Sequence, residues 1–156
     1  AFSGNLFGSL NIPVGITLSL DNSETSPSYD SMEKIVSFNI DVQGASLVLE
    51  EMQISWDPSS DETLNRIEIK SPSDATDTNI AYASDYYDTN IPGYPASSGD
   101  LINIKDDIIL LQNSSKIILY FNDSFTIPTG GKTFNIIFNP NSGNYPIDFT
   151  IPSPTP

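Results

Sequence analysis

A period of two is what most constrains this chain. Ile16, Leu18 and Leu20 alternate with Thr17 and Ser19, and Val36, Phe38, Ile40 and Val42 repeat the pattern. Near the end, Phe134, Ile136 and Phe138 and then Ile147, Phe149 and Ile151 do the same. Alternation puts every second side chain on one face of an extended strand, which is strand spacing and not helix spacing. Turn formers separate the runs: Asp21-Asn22-Ser23, then Gln43-Gly44, then Asn139-Pro140-Asn141-Ser142-Gly143-Asn144, where Gly and Asn suit a positive φ. Further candidate strands cover 64–69, 80–83, 101–104, 108–111 and 117–121, with Pro58 and Pro72 marking breaks. Another begins at Leu47 and Leu49 and changes parity to Met52, Ile54 and Trp56 across Glu50-Glu51, as a β-bulge would make it do. Residues 84–100 lose the pattern and read as one long loop. The expectation is an all-β fold, a β-sandwich of jelly-roll or Ig-like topology with about ten short antiparallel strands.

The N-terminal segment extends the alternation furthest. Phe2, Gly4, Leu6, Gly8, Leu10, Ile12 and Val14 share one parity, with Phe7 the one large apolar residue on the other. In a strand this is an apolar face in which Gly4 and Gly8 admit a close neighbour. Fourteen residues at about 3.3 Å each would reach roughly 46 Å, well beyond an ordinary strand. Such a segment either docks on its own domain as an edge strand or enters the sheet of another subunit, where main-chain hydrogen bonds give affinity and alternate side chains fill pockets. The second arrangement is heterologous and propagates into a filament. The chain therefore divides into an extended N-terminal strand at 1–15, a sandwich at 16–151 and a tail at 152–156. The tail's Pro152-Ser153-Pro154-Thr155-Pro156 cannot join a central ladder.

Composition removes whole function classes. The 156 residues include no cysteine and no histidine, which excludes imidazole- or thiolate-based nucleophilic sites, zinc sites of those ligands, and disulfides. Six basic against 20 acidic side chains give a net charge of −14, so a nucleic-acid backbone or an anionic bilayer is not an expected partner. There is no run of eighteen apolar residues, hence no expected transmembrane helix. The start at Ala1-Phe2-Ser3 resembles what remains after signal-peptide cleavage. The sequons Asn113-Ser114-Ser115 and Asn122-Asp123-Ser124 offer Asn113 and Asn122 as glycosylation positions. Together these point to a secreted protein, extracellular or at the cell surface.

The mature-looking Ala1-Phe2 start, the alternating segment from Phe2 to Val14 and a cysteine-free all-β body resemble the secreted β-sandwich subunits of extracellular filaments, the archaeal bundling pili and camelysin-type biofilm fibre proteins. The resemblance implies a homopolymer in which the N-terminal strand enters the adjacent subunit. Met52-Gln53-Ile54-Ser55-Trp56 and Thr133-Phe134-Asn135-Ile136-Ile137-Phe138 are also similar to the β-domains of type IV pilin-like proteins, whose long hydrophobic N-terminal helix this sequence lacks.

Other chemistry is more diffuse. Asp57, Asp61 and Glu62, with Asp85 and Asp88 in the long loop, are the carboxylates that could converge on a calcium ion, although no EF-hand spacing occurs. A solvated acidic surface is the simpler explanation of them. Trp56, Tyr82, Tyr86, Tyr87 and Tyr94 invite a carbohydrate-binding reading, but Trp56 is in phase with Met52 and Ile54 and belongs to the expected core. Pro128-Thr129-Gly130-Gly131-Lys132-Thr133 ends like a phosphate loop but lacks its first glycine and lies between strands, so a tight hairpin turn accounts for it. A carboxylate-pair glycosidase would be the expected enzyme class, yet 20 acids supply candidate pairs without discrimination. The sequence thus favours a non-enzymatic filament subunit, with a monomeric carbohydrate- or calcium-binding surface module as the alternative.

Overall fold

The computed structural model describes residues 15–22, 26–70, 78–83, 95–104 and 109–154. The expected donor segment at 1–14 and most of the expected loop, at 84–94, lie outside the described residues. Ten strands form two antiparallel sheets: β1 (Thr17–Asp21), β2 (Ser28–Asp30), β3 (Ile35–Leu49), β4 (Glu51–Asp57), β5 (Leu64–Lys70), β6 (Thr78–Ala83), β7 (Leu101–Asn103), β8 (Ile109–Phe121), β9 (Lys132–Phe138) and β10 (Tyr145–Ile151). No helix occurs among the described residues. One sheet has the order β1-β3-β8-β5-β6, with β2 beside β1 on the same edge of β3, and the other has the order β10-β9-β4-β7. The fold is an all-β sandwich, as the alternation predicts.

The buried residues are the inward parity of each strand. Val36, Phe38, Ile40 and Val42 of β3 and Ile117, Leu119 and Phe121 of β8 face Met52, Ile54 and Trp56 of β4 and Phe134, Ile136 and Phe138 of β9. Rings bridge the layers: Phe38 meets Phe149 of β10 with centroids 5.1 Å apart, and Trp56 meets the edge of Phe121 at 5.0 Å. Each large side chain buried in this way contributes about 1.5–3 kcal/mol, so the middle layer is the main source of stability.

Four local expectations are corrected. The runs at Val36 and at Leu47 are one strand, β3, because Gln43-Gly44 makes an irregularity and not an end: Val42 pairs with Asn113 and Leu47 with Leu111, leaving residues 43–46 opposite Gln112 alone. Gly44 takes φ +97°, which an L side chain would resist there. The candidates at 108–111 and 117–121 likewise fuse into β8, drawn out as the long partner of β3. The parity change at Glu50-Glu51 is not a bulge within a strand. There the chain leaves β3 in one sheet and enters β4 in the other, so the inward face reverses sides. Finally, the turn at 128–131, closed by Gly131 N–H on the Pro128 carbonyl at 2.8 Å, is no hairpin, since β8 and β9 belong to different sheets. Strand β2 had no signal in the sequence; three residues cannot show a period.

Candidate functional site

One side of the sandwich is where β1 and β2 end one sheet and β10 ends the other, and there β1 and β10 come close to each other without pairing. Strand β1 pairs with β3 alone, from Thr17 opposite Gln43 to Asp21 opposite Asn39, and β10 pairs with β9 alone among the described residues. Among the described residues, each therefore has a second edge with no strand paired to it, the kind of edge that can template another strand. Ile16 and the inward side chains of β1, Leu18 and Leu20, pack against the core yet stay only partly covered. The equivalent inward row of a central strand, β9, is fully buried.

Towards one end this seam widens into a cavity of about 310 Å³. Pro27, Ser28 and Tyr29 line it from the β2 side, and Ile151, Pro152 and Pro154 line it from the end of β10. Tyr29 is half-buried, with its ring edge-on to Phe125 at 5.6 Å. Burial pushes its hydroxyl pKa up, and the charges of Asp30 and Glu62 add to the effect. On the outward faces of the same strands, Asp21 ends β1, Asp30 ends β2 and Asp148 lies in β10, all exposed. Chemically this side offers edge strands, a partly covered aliphatic row and a Pro- and Tyr-lined recess, the elements of a site for an extended apolar strand.

A second constellation is buried beneath it. Glu62 is 4% exposed. Its Oε2 accepts the Trp56 Nε1–H at 3.0 Å, and its Oε1 accepts both the Thr126 N–H at 3.3 Å and the Lys132 Nζ. Lys132 opens β9 on the inward parity, with Nζ 4.7 Å from the centre of the Phe125 ring.

Of the residues expected to bind calcium, the three described ones, Asp57, Asp61 and Glu62, form no metal-holding group. Asp57 and Asp61 are exposed, whereas Glu62 turns into the core and commits both oxygens to Trp56, Thr126 and Lys132. Among the described residues no group of three or more acidic side chains could hold a metal ion. Asp85 and Asp88 lie outside the described residues, as do Tyr86, Tyr87 and Tyr94. So do Phe2, Gly4, Leu6, Gly8, Leu10, Ile12 and Val14. Trp56 and Tyr82 are buried, at 2% and 1% exposure, which removes both from any sugar-stacking surface. The two sequons differ. Asn113 is exposed, although Ser115 of its triplet is buried. Asn122 uses its amide to hold the 61–63 loop, donating to the Asp61 carbonyl at 3.1 Å and accepting the Thr63 N–H at 3.2 Å.

Sequence reasoning missed the Glu62–Lys132 pair and the recess at Tyr29. Lys132 did carry a signal, because it shares the parity of Phe134, Ile136 and Phe138 and is thus aimed inward by the same alternation. Glu62 carried none. No protein-family model and no curated protein sequence matches this chain, so the class stands on the fold alone: an all-β sandwich.

Proposed function

We propose that the protein is a non-enzymatic structural subunit of an extracellular filament, in which residues 1–14 of one copy occupy the β1/β10 seam of the next. The observation that carries this reading is the partly covered row of Ile16, Leu18 and Leu20 close to β10, whose second edge has no paired strand among the described residues. The occupant is suited to an acidic body: residues 1–14 contain none of the chain's charged side chains, while the whole chain carries −14, so they approach another copy with little repulsion. Phe2, Leu6, Leu10, Ile12 and Val14 are the anchors, each contributing about 1.5–3 kcal/mol on burial, and Gly4 and Gly8 are the close-contact positions. Because the contact joins unlike surfaces, it continues from copy to copy.

The test is negative-stain electron microscopy and sedimentation of the full chain beside a Leu6→Asp/Leu10→Asp variant, each with and without millimolar calcium. Filaments from the parent and dispersed folded monomers from the variant are the expected result. Dispersed monomers in every sample would end this reading in favour of a monomeric surface module, and filaments from both would move the joint elsewhere.

A further inference from the structure

Glu62 and Lys132 meet where water has least access, with side chains 3% and 2% exposed. Glu62 stands just before β5 in one sheet and Lys132 opens β9 in the other, so their contact crosses the sandwich. Aromatic rings wall it in. Phe125 lies under the Lys132 nitrogen and stacks on Phe121 with centroids 4.0 Å apart, and Trp56 closes the side edge-on to Phe121. Nζ rests against Oε1, and the opposite oxygen, Oε2, already receives a hydrogen bond from Trp56 Nε1 at 3.0 Å.

We propose that this pair is a site of self-modification, where Lys132 Nζ and Glu62 Cδ join in an intramolecular amide with release of one water. Three requirements of such a step are present. The nucleophile is held at its electrophile, which replaces a bimolecular encounter by a positioned one. A hydrogen-bond donor, Trp56 Nε1–H, is aimed at the oxygen on which negative charge develops. The aromatic wall keeps out the bulk water that would compete or reverse the reaction.

The step balances with the groups in place. One ammonium proton passes across the contact to Oε1, freeing the nitrogen lone pair. That pair attacks Cδ, the carbon–nitrogen bond forms, and the displaced π electrons settle on Oε2 beside Trp56. A second nitrogen proton transfers to Oε1, the Cδ–Oε1 bond breaks, and Oε1 departs as water while the carbonyl re-forms at Oε2. Nothing is oxidised or reduced. The product is a neutral cross-tie between the two sheets in place of two buried charges that are tolerable only as a pair. It does not depend on polymerisation.

Denaturing intact-mass spectrometry of the full chain, followed by trypsin mapping, is the test. The expected mass lies one water below the sequence mass. Because Lys132 in an amide resists trypsin, residues 35–66 should emerge as a branched peptide joined to an uncut 117–156. Lys132→Met should return the mass to that of its own sequence, a readout that holds whether or not this variant folds. A parent mass equal to the sequence mass, with 35–66, 117–132 and 133–156 recovered separately, would overturn the proposal. So would a missing water that maps to any other residue.

Discussion

Asn139 carries more of the architecture than its place in a turn suggests. At φ +49° it occupies the left-handed region that asparagine tolerates better than most residues. Its side chain is buried against the corner where β3 gives way to β4: Oδ1 accepts the Glu50 N–H at 2.7 Å and the Glu51 N–H at 3.2 Å, and Nδ2 donates to the Val48 carbonyl at 2.7 Å. Those backbone groups sit where the chain changes sheets, and Asn139 supplies their partners. Asn139→Ala should therefore cost about 3 kcal/mol, roughly one per lost bond, read as a lower midpoint in urea unfolding. Asn139→Asp keeps an acceptor for the two N–H groups but turns the donor to Val48 into a repulsive oxygen, so it should also destabilise. Tyr120 is a second case. Its hydroxyl donates to Glu68 Oε1 at 2.7 Å, while Arg66 pairs with Glu68 Oε2 at 2.6 Å. Burial first, then the hydrogen bond and charge of Glu68, push its pKa up to about 12, with Arg66 pulling the other way. Since an unfolded tyrosine titrates near about 10, the folded state holds this proton where the unfolded one has lost it. The associated stability is complete below the unfolded value and is lost as pH rises towards the folded one. An ultraviolet phenolate titration should show a late component at about pH 12 that is lost in Tyr120→Phe, while the raised Tyr29 remains; an unchanged titration curve would contradict the assignment. From the sequence, Asn139 was legible as a turn former and Tyr120 as a strand residue, but neither partner set was, because those partners come from distant parts of the chain.

Among elements, legibility follows from whether a boundary leaves a mark in the alternation. Strands β9 and β10 were read nearly residue for residue, since each is a single run with one inward parity; β5 was read as a strand too, although its buried parity changes between Leu64 and Ile67 at a register shift. The break between β3 and β4 left its mark too, at Glu50-Glu51, but a bulge and a change of sheet give the same parity shift. Only pairing partners separate them. The converse happened at Gln43-Gly44, where turn formers marked an irregularity inside a strand that stays paired with β8 across a shift in register. The 128–131 turn belongs to the same class of ambiguity, and its geometry makes a prediction. Gly131 takes φ +84°, and a Cβ there would stand 2.9 Å from the Ile151 carbonyl oxygen. Gly131→Ala must strain the left-handed backbone and push against the end of β10 beside the recess, a double penalty of about 2–3 kcal/mol. Gly130→Ala meets open space and is the control. Thermal unfolding should separate the two clearly, and equal melting temperatures would show that this turn does not hold the β10 end in place.

For the whole molecule, the sandwich was legible because burial of one face leaves a periodic trace, whereas the seam was not. Openness at an edge depends on which strands lack a second neighbour, and no local pattern records that. The apolar segment 2–14 did suggest an occupant, and under the proposed function the partly covered β1 row near β10 is the place it would take. Charge acts at this scale as well. At −14 per chain, copies repel at low ionic strength over a Debye length of about 10 Å at 0.1 M salt. Assembly should therefore strengthen as salt rises, seen as sedimentation of a growing fraction, and assembly that weakens with salt would contradict an apolar joint between acidic bodies. The most direct measurement of the joint uses the absence of native cysteine. Ser153→Cys, beside the seam recess, is combined in one chain with Leu6→Cys or Leu10→Cys, oxidised gently and run on a non-reducing gel. The account predicts a ladder of disulfide-linked multimers from at least one of the two pairs, collapsing to monomer on reduction. Monomers with an internal disulfide would instead place the N-terminal strand on its own domain and contradict the filament joint.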